Sequence, residues 1–232
     1  MKLICFTYAG GTAAFYNGLR EQLSPDIELT AMEYAGHGQR YKEPFYNDFI
    51  ELANDMYESI STTIKDGDAY ALMGYSMGSI SVVEVLKRIL QENNRPPEHI
   101  FLAAHEPKTK ESLAEFWDSE HDDLVKERTI QFGAVPGKLL NNKSFWRMYL
   151  PIYRADYTII GKYRFEELEM KSSIPATVFY SESDTPYSEM DAWRDYFIES
   201  CEFSQYTGNH FFLNNHCSEI AEEIKRKLVT VK

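Results

Sequence analysis

One serine in the chain lies in a pattern that could make its hydroxyl a nucleophile. Ser76 is the centre of the run Gly74-Tyr75-Ser76-Met77-Gly78, which follows the apolar stretch 69–73 and precedes a helix-like segment. A strand, a Gly-x-Ser-x-Gly turn and a helix in this order form a nucleophile elbow, which holds the hydroxyl out at the end of a sheet. The bare pattern occurs by chance in roughly one chain of this length in ten, so its partners decide its meaning.

A histidine near the end of the chain is the best-placed base for this serine. A serine becomes nucleophilic when a base within hydrogen-bond reach takes its proton, and such groups lie at the carboxyl ends of strands in parallel α/β sheets. His210 lies just past the last predicted strand, in a loop that can reach the serine. His105 also ends a strand and is a second candidate, whereas we expect His37 to order a glycine-rich turn. The other three histidines are placed less well. His99 precedes a strand, His121 lies in the charged part of an insertion, and His216 begins a helix.

An acidic residue should orient the histidine, and we expect it in the loop after the penultimate strand. Asp184 and Glu182 both lie there, and Asp184 is preferred because it is deeper in the loop. Asp156 is a rival, but it lies in an insertion where we expect it to make a structural contact. The chain order Ser76, Asp184, His210 is that of the α/β-hydrolase class, which is the fold we predict.

Two backbone amides could stabilise the negative charge that develops on a carbonyl oxygen attacked by Ser76. One is the N–H of Met77, at the N-terminus of the helix that follows the turn. The other is the N–H of Ala9, in the loop Tyr8-Ala9-Gly10-Gly11 after the first strand, where small residues let the backbone approach a substrate. Such donors stabilise an alkoxide by a few kcal/mol.

Short apolar runs alternate with longer amphipathic segments along the chain, which predicts βαβ units and a mostly parallel sheet. We expect a single α/β domain over residues 1–232, with about six or seven strands and helices on both faces. The predicted strands span residues 2–8, 27–33, 69–75, 99–104, 176–181 and 202–206. The predicted helices span residues 12–23, 47–64, 76–91, 187–200 and 218–229.

Residues 108–170 break this alternation because they show a helical pattern and no strand. Insertions of this length between two strands are usually functional. We therefore predict a helical lid over Ser76, although a small helical subdomain with only a packing role would show the same pattern. The aromatic and apolar face of the insertion comprises Trp117, Leu124, Val125, Phe132, Leu139, Leu140, Phe145, Trp146, Met148 and Tyr149.

The composition of the 232-residue chain limits the classes of protein to which it can belong. With 44% hydrophobic residues it can bury a sizeable core, and its net charge of −12 argues against nucleic acid and anionic membrane surfaces as partners. Three scattered cysteines predict neither a disulfide framework nor a metal site. No stretch approaches the ~18 apolar residues of a membrane span, and we expect a cytoplasmic monomer.

Several segments together resemble the type II thioesterases that accompany nonribosomal peptide and polyketide synthases. They are the elbow, Ile4-Cys5-Phe6-Thr7-Tyr8-Ala9-Gly10-Gly11, Tyr34-Ala35-Gly36-His37-Gly38-Gln39-Arg40, Gly208-Asn209-His210-Phe211-Phe212-Leu213 and, similar to the family's lid motif, Leu150-Pro151-Ile152-Tyr153-Arg154-Ala155-Asp156-Tyr157. The similarity covers essentially the whole chain. The family's triad falls on Ser76, Asp184 and His210, and its oxyanion donors fall on Ala9 and Met77.

The resemblance implies a reaction, a substrate class and a partner. The reaction is hydrolysis of acyl groups from the phosphopantetheine arm of acyl or peptidyl carrier proteins, which clears stalled or misprimed carriers and requires no cofactor. This chain departs from the family pattern at Thr7, Tyr75, Asn209 and residues 105–108, where the family usually has Pro, His, Gly and a small segment that contains Arg. The last two departures bear on loop shape and acyl-chain preference.

The charge pattern of the insertion favours an acidic partner. Residues 133–165 contain six basic residues and one acidic residue, Asp156, in a chain of net charge −12. Carrier domains are commonly acidic, and complementary charge guides association. We therefore predict that basic residues of this segment dock the carrier, although a solvated helix face would show the same pattern. The predicted docking residues are Lys138, Lys143, Arg147 and Arg154.

Three other functions are compatible with the same residues. A small-molecule carboxylesterase or lipase would use the same triad but would need no carrier. An acyltransferase would replace water by another nucleophile. A non-catalytic binding protein on a hydrolase scaffold would not react at Ser76, and a fluorophosphonate probe distinguishes it from either hydrolase.

Overall fold

All six predicted strands are present in the computed structural model, which describes residues 1–65, 67–108 and 121–229. The strands are β1 Lys2–Phe6, β2 Glu28–Ala31, β3 Tyr70–Tyr75, β4 Ile100–Ala103, β5 Ala176–Tyr180 and β6 Cys201–Gln205. They form one parallel sheet in the order β2-β1-β3-β4-β5-β6. This arrangement is consistent with the predicted α/β-hydrolase fold, in which the elbow follows a central strand.

Helices cover both faces of the sheet, which explains why its central strands are apolar. The helices are α1 Asn17–Leu23, α2 Phe49–Lys65, α3 Met77–Gln91, α4 Asp122–Gln131, α5 Lys143–Lys162, α6 Tyr187–Met190 and α7 Cys217–Leu228. Every residue of β3 and β5 is buried, as expected for parallel strands packed on both sides. One core cluster includes residues of α2, α3 and α5, and a second includes residues of α1 and α7.

The helix predicted over residues 187–200 is wrong in its length. Helix α6 is a single turn, and a 3₁₀ segment, Asp191–Asp195, follows it. The chain then runs beside Ser172, whose N–H donates to the backbone oxygen of Tyr196 (2.8 Å) and whose backbone oxygen accepts from Ile198 (3.0 Å). This pairing with a distant segment replaces the hydrogen bonds that would have continued the helix.

Between β4 and β5 the described part of the insertion is helical, as predicted. Helices α4 and α5 contact each other, and residues of both belong to the core cluster shared with α2 and α3. Residues 109–120 of the predicted insertion, with Trp117, lie outside the described residues. The role of the insertion as a lid stays a prediction. Among the helices of the described segments, none is long and apolar enough to cross a bilayer.

Candidate functional site

Ser76 is placed by a turn that depends on two glycines. It joins β3 to α3 with φ +54° and ψ −119°, a strained conformation for a residue that has a Cβ atom. A Cβ atom on Gly74 would overlap the backbone of Gly78, and one on Gly78 would overlap the carbonyl group of Phe6. The close approach of strand and helix therefore requires glycine at both positions of the motif.

The structure brings His210 and Asp184 together with Ser76. The Nε2 atom of His210 is 2.9 Å from the Oγ atom of Ser76, and its Nδ1 atom is 2.9 Å and 3.0 Å from the two carboxylate oxygens of Asp184. Since a carboxylate only accepts hydrogen bonds, Nδ1 carries a hydrogen and Nε2 is left to accept the hydroxyl proton of Ser76. The side chains of His210 and Asp184 are only 10% and 9% exposed, so bulk water competes little for these bonds.

Two residues that the sequence did not assign to the site contact His210. The hydroxyl of Tyr75 donates to the backbone oxygen of His210 (2.7 Å), and burial raises the pKa of Tyr75 and keeps this donor protonated. Phe132, directly after α4, packs against the imidazole with ring centres 4.7 Å apart. The position of Tyr75 beside Ser76 was an available signal for the first contact. For the second, the sequence placed Phe132 on the apolar face of the predicted lid but did not indicate its contact with His210.

Two backbone amides near Ser76 are available to a substrate oxygen. Met77 is the first residue of α3, so its N–H has no acceptor within the helix. Ala9 borders the same cavity as Ser76 and His210. Within the described part of the chain, neither amide donates a hydrogen bond to another protein group. These are the two positions at which the sequence predicted oxyanion donors.

Asp156, the rival acid, makes its contacts elsewhere. Its Oδ2 atom accepts the N–H of Gly10 (2.6 Å) and lies 2.9 Å from Nε2 of His37. The Nδ1 atom of His37 is 2.9 Å from the backbone oxygen of Ala35. Both side chains are buried. The structural contact expected of Asp156 and the loop-ordering contact expected of His37 are one and the same interaction.

The remaining candidates make other contacts. Glu182 accepts a backbone N–H at the start of α6 (3.2 Å). Burial lowers the pKa of His99 to about 4, which keeps it neutral near pH 7. His105 borders the cavity, but its Nδ1 atom donates to the backbone oxygen of the next residue (2.6 Å). His121 and His216 lie at the starts of α4 and α7. In the segments that the structure describes, no group of three or more His, Cys, Asp or Glu side chains could hold a metal ion.

A cavity of about 520 Å³ opens beside the Ser76 hydroxyl. This volume lies within the range of small-molecule sites. The insertion supplies part of its wall, through residues of α4 and α5 and the turn between them, and the segment after β4 supplies charged groups. The residues from these two regions are His105, Glu106, Lys108, Arg128, Phe132, Ala134, Tyr157 and Ile160.

The four basic residues predicted to dock a partner are not equivalent in the structure. Lys138, Lys143 and Arg147 are exposed, whereas the guanidinium group of Arg154 pairs with the carboxylate of Asp122. Lys143 and Arg147 border an open groove of about 430 Å³ on the surface of the insertion. The other residues that border this groove are Lys126, Leu140, Asn141, Trp146 and Leu150.

Comparisons with known proteins agree with one another. The thioesterase domain family matches residues 1–228. The medium-chain S-acyl fatty acid synthase thioesterase of Rattus norvegicus is 26% identical over 215 residues, which cover 91% of this chain and 81% of the rat protein. Two solved structures are each 25% identical: RedJ, a thioesterase from the prodiginine pathway of Streptomyces coelicolor, and BorB, the type II thioesterase of the borrelidin cluster. Their TM-scores are 0.87 and 0.84, and the alignments cover 98% of this chain and 85% and 92% of theirs.

Proposed function

Since this chain belongs to the thioesterase family, we propose that it is a type II thioesterase that hydrolyses acyl groups from the phosphopantetheine arm of carrier proteins and so clears stalled or misprimed carriers. The family match over residues 1–228 supports the reaction class. The likeness to thioesterases of the prodiginine and borrelidin pathways supports a biosynthetic role. The observation that carries the proposal is the hydrogen-bonded triad of Ser76, His210 and Asp184, which borders a cavity.

The first half of the proposed reaction transfers the acyl group to the enzyme. The Oγ atom of Ser76 attacks the thioester carbonyl carbon while Nε2 of His210 takes the hydroxyl proton. The N–H groups of Ala9 and Met77 stabilise the negative charge on the carbonyl oxygen. Asp184 stabilises the imidazolium that forms. When the C–S bond breaks, the pantetheine thiol leaves with the proton from His210, and the acyl group remains as an ester on Ser76.

The second half of the reaction repeats the same steps with water. His210 takes a proton from a water molecule, whose oxygen attacks the acyl-serine carbonyl, and the same two amides stabilise the oxyanion. When the ester bond breaks, His210 returns the proton to Ser76 and the carboxylic acid leaves. No step of the proposed reaction requires a metal ion or an organic cofactor. The phosphopantetheine belongs to the substrate.

The activity is tested by comparing three substrates: an acyl-phosphopantetheinyl carrier protein, acyl-CoA and a p-nitrophenyl ester. We expect the highest kcat/KM with the loaded carrier. Ser76→Ala should lower kcat/KM by at least about 10⁴-fold, since it removes the nucleophile, while the circular dichroism spectrum stays unchanged. Strong ester hydrolysis with no activity on any loaded carrier would instead assign the protein as a general esterase.

The groove beside Lys143 and Arg147 is our proposed docking surface for the carrier. Its border combines exposed positive charge with apolar side chains of Trp146 and Leu150, which suits an acidic surface that carries an apolar contact residue. The paired charge of Arg154 makes that residue a weaker candidate than the sequence implied.

Charge reversal tests this surface. The double variant Lys143→Glu, Arg147→Glu should raise KM for the loaded carrier by about tenfold at low salt, with a smaller difference at high salt because ions screen the attraction. Its kcat on the p-nitrophenyl ester should not change. The matched control reverses two exposed lysines away from the groove, Lys42 and Lys171. Equal KM values and equal salt dependence for the two double variants would reject the docking surface.

A further inference from the structure

The loop that carries Ala9 is held by helix α5. The N–H of Gly10 donates to Oδ2 of Asp156 (2.6 Å), and the ring of Tyr153 lies so close to Gly10 that a Cβ atom there would overlap it. Gly10 has φ +76°, a conformation that glycine adopts readily. Two residues one turn apart on α5 therefore contact the same glycine, directly after Ala9.

Asp156 is itself held by His37. Both ring nitrogens of His37 meet acceptors, since Nε2 lies 2.9 Å from Asp156 and Nδ1 lies 2.9 Å from the backbone oxygen of Ala35. An imidazole satisfies two acceptors only when both of its nitrogens carry hydrogen, so the contacts favour the imidazolium. The exposed fractions of His37 and Asp156 are only 1% and 3%.

The charged groups around His37 favour the same state. Burial by itself lowers the pKa of His37, but the negative charge of Asp156, on α5, and the hydrogen bonds to Asp156 and Ala35 raise it. Glu33, in the segment after β2, adds to this effect, and the net pKa lies above the ordinary value. The aromatic rings of Tyr34 and Phe45 pack edge-on against the imidazole and carry no charge. His37 and Asp156 thus form a buried ion pair.

We propose that Asp156, held by His37, is a positioning residue for the oxyanion hole. Its carboxylate fixes the peptide between Ala9 and Gly10, and this restrains the preceding peptide, whose N–H at Ala9 is the proposed oxyanion donor. The inference rests on the proposed function in one respect, which is that the N–H of Ala9 binds the oxyanion. Donors that are fixed before the reaction stabilise charge without the cost of reorganisation. The same helix borders the substrate cavity through Tyr157 and Ile160, so one element shapes the cavity and holds the oxyanion loop.

The variant Asp156→Asn tests the inference with a small substrate, an acyl-N-acetylcysteamine thioester, so that carrier docking does not contribute. The amide has the same size but no charge, so its oxygen accepts more weakly the two hydrogen bonds, from Gly10 and His37, that Oδ2 of Asp156 accepts. We expect kcat to fall by about ten- to a hundredfold, less than for loss of an oxyanion donor, while KM stays within about twofold. The affinity for a trifluoromethyl ketone, which becomes an oxyanion when Ser76 adds to it, should fall in proportion, whereas the affinity for the matching secondary alcohol should not.

A matched control and a second variant complete the experiment. Asp122→Asn makes the same change in an ion pair with α5 that does not touch the loop, and it should leave kcat unchanged. His37→Gln keeps a donor to Asp156 without the charge, and it should lower kcat by severalfold. A folded Asp156→Asn protein with wild-type kcat, or one that loses kcat without losing trifluoromethyl ketone affinity, contradicts the inference. If Asp156→Asn does not fold, wild-type kcat in His37→Gln contradicts it. Absence of thioester hydrolysis by the wild-type protein would instead reject the proposed function.

Discussion

Two buried histidine–carboxylate pairs among the residues that the structure describes differ in what the second ring nitrogen contacts. His210 donates through Nδ1 to Asp184 and directs Nε2 at the Ser76 hydroxyl. His37 is bound at both nitrogens by acceptors, Asp156 on one side and a backbone carbonyl group on the other. The first histidine can therefore exchange a proton with a reacting group, whereas both nitrogens of the second are occupied by protein acceptors.

The comparison shows that contact between a histidine and an acid does not by itself identify a catalytic site. His210 and Asp184 border the cavity at Ser76, and neither His37 nor Asp156 borders it. In the first pair the carboxylate selects a tautomer that leaves a basic nitrogen at the cavity. In the second pair the histidine fixes the carboxylate, and the carboxylate fixes a loop. Both pairs join an imidazole to a carboxylate. In the first pair the carboxylate orients the histidine, whereas in the second the histidine orients the carboxylate.

Replacement of the aspartate by asparagine in each pair should show the largest difference between the two pairs. Asp184→Asn should lower kcat by about 10³–10⁴-fold, because an amide that donates to Nδ1 favours the tautomer in which Nε2 cannot accept the Ser76 proton. Asp156→Asn should lower kcat far less, by about ten- to a hundredfold. Steady-state kinetics of both variants on one thioester measure the ratio, and equal losses would remove the distinction between the pairs.

The His37 pair should also differ in the pH dependence of stability. The pKa of His37 in the folded protein is raised above the value of about 6.5 for an unfolded histidine. The pair therefore contributes its full stability below about pH 6.5 and loses it as the pH rises through the raised pKa. His37→Gln should lower the free energy of unfolding by about 2 kcal/mol near pH 6, and by less near pH 9. Urea unfolding at the two pH values measures this, and a difference independent of pH would argue against the ion pair.

The smallest expected effect concerns the backbone support of His210. Tyr75→Phe removes the hydroxyl that donates to the backbone oxygen of His210, and kcat should fall by about three- to tenfold, which corresponds to about 1 kcal/mol. Tyr16→Phe is a matched control, because it removes a buried hydroxyl that also donates to a backbone oxygen, that of Phe6, at 2.7 Å. The control should lose stability but keep kcat. Equal kcat values for the two variants would show that the Tyr75 contact supports only the fold.

Local patterns predicted the elements better than they predicted the contacts between them. The six strands and the turn at Ser76 follow from short apolar runs and glycine positions, which act over a few residues. The predicted length of the helix over residues 187–200 was wrong because the backbone of Tyr196 and Ile198 pairs with Ser172. No local pattern in the sequence contains this contact. Phe132 was predicted as part of an apolar face, but its contact with His210 depends on how α4 packs beside the site.

The sequence by itself determined the fold class, the order of the elements and the positions of Ser76, Asp184 and His210 after the ends of β3, β5 and β6. The sequence also paired His210 with Asp184, whereas only the tertiary structure decided that His37 pairs with Asp156. His210 and Asp184 are 26 residues apart and His37 and Asp156 are 119 residues apart, and neither separation predicts a contact. The physical reason is that the first pair is set by neighbouring strands of one sheet, whereas the second is set by the packing of α5 over the loops after β1 and β2.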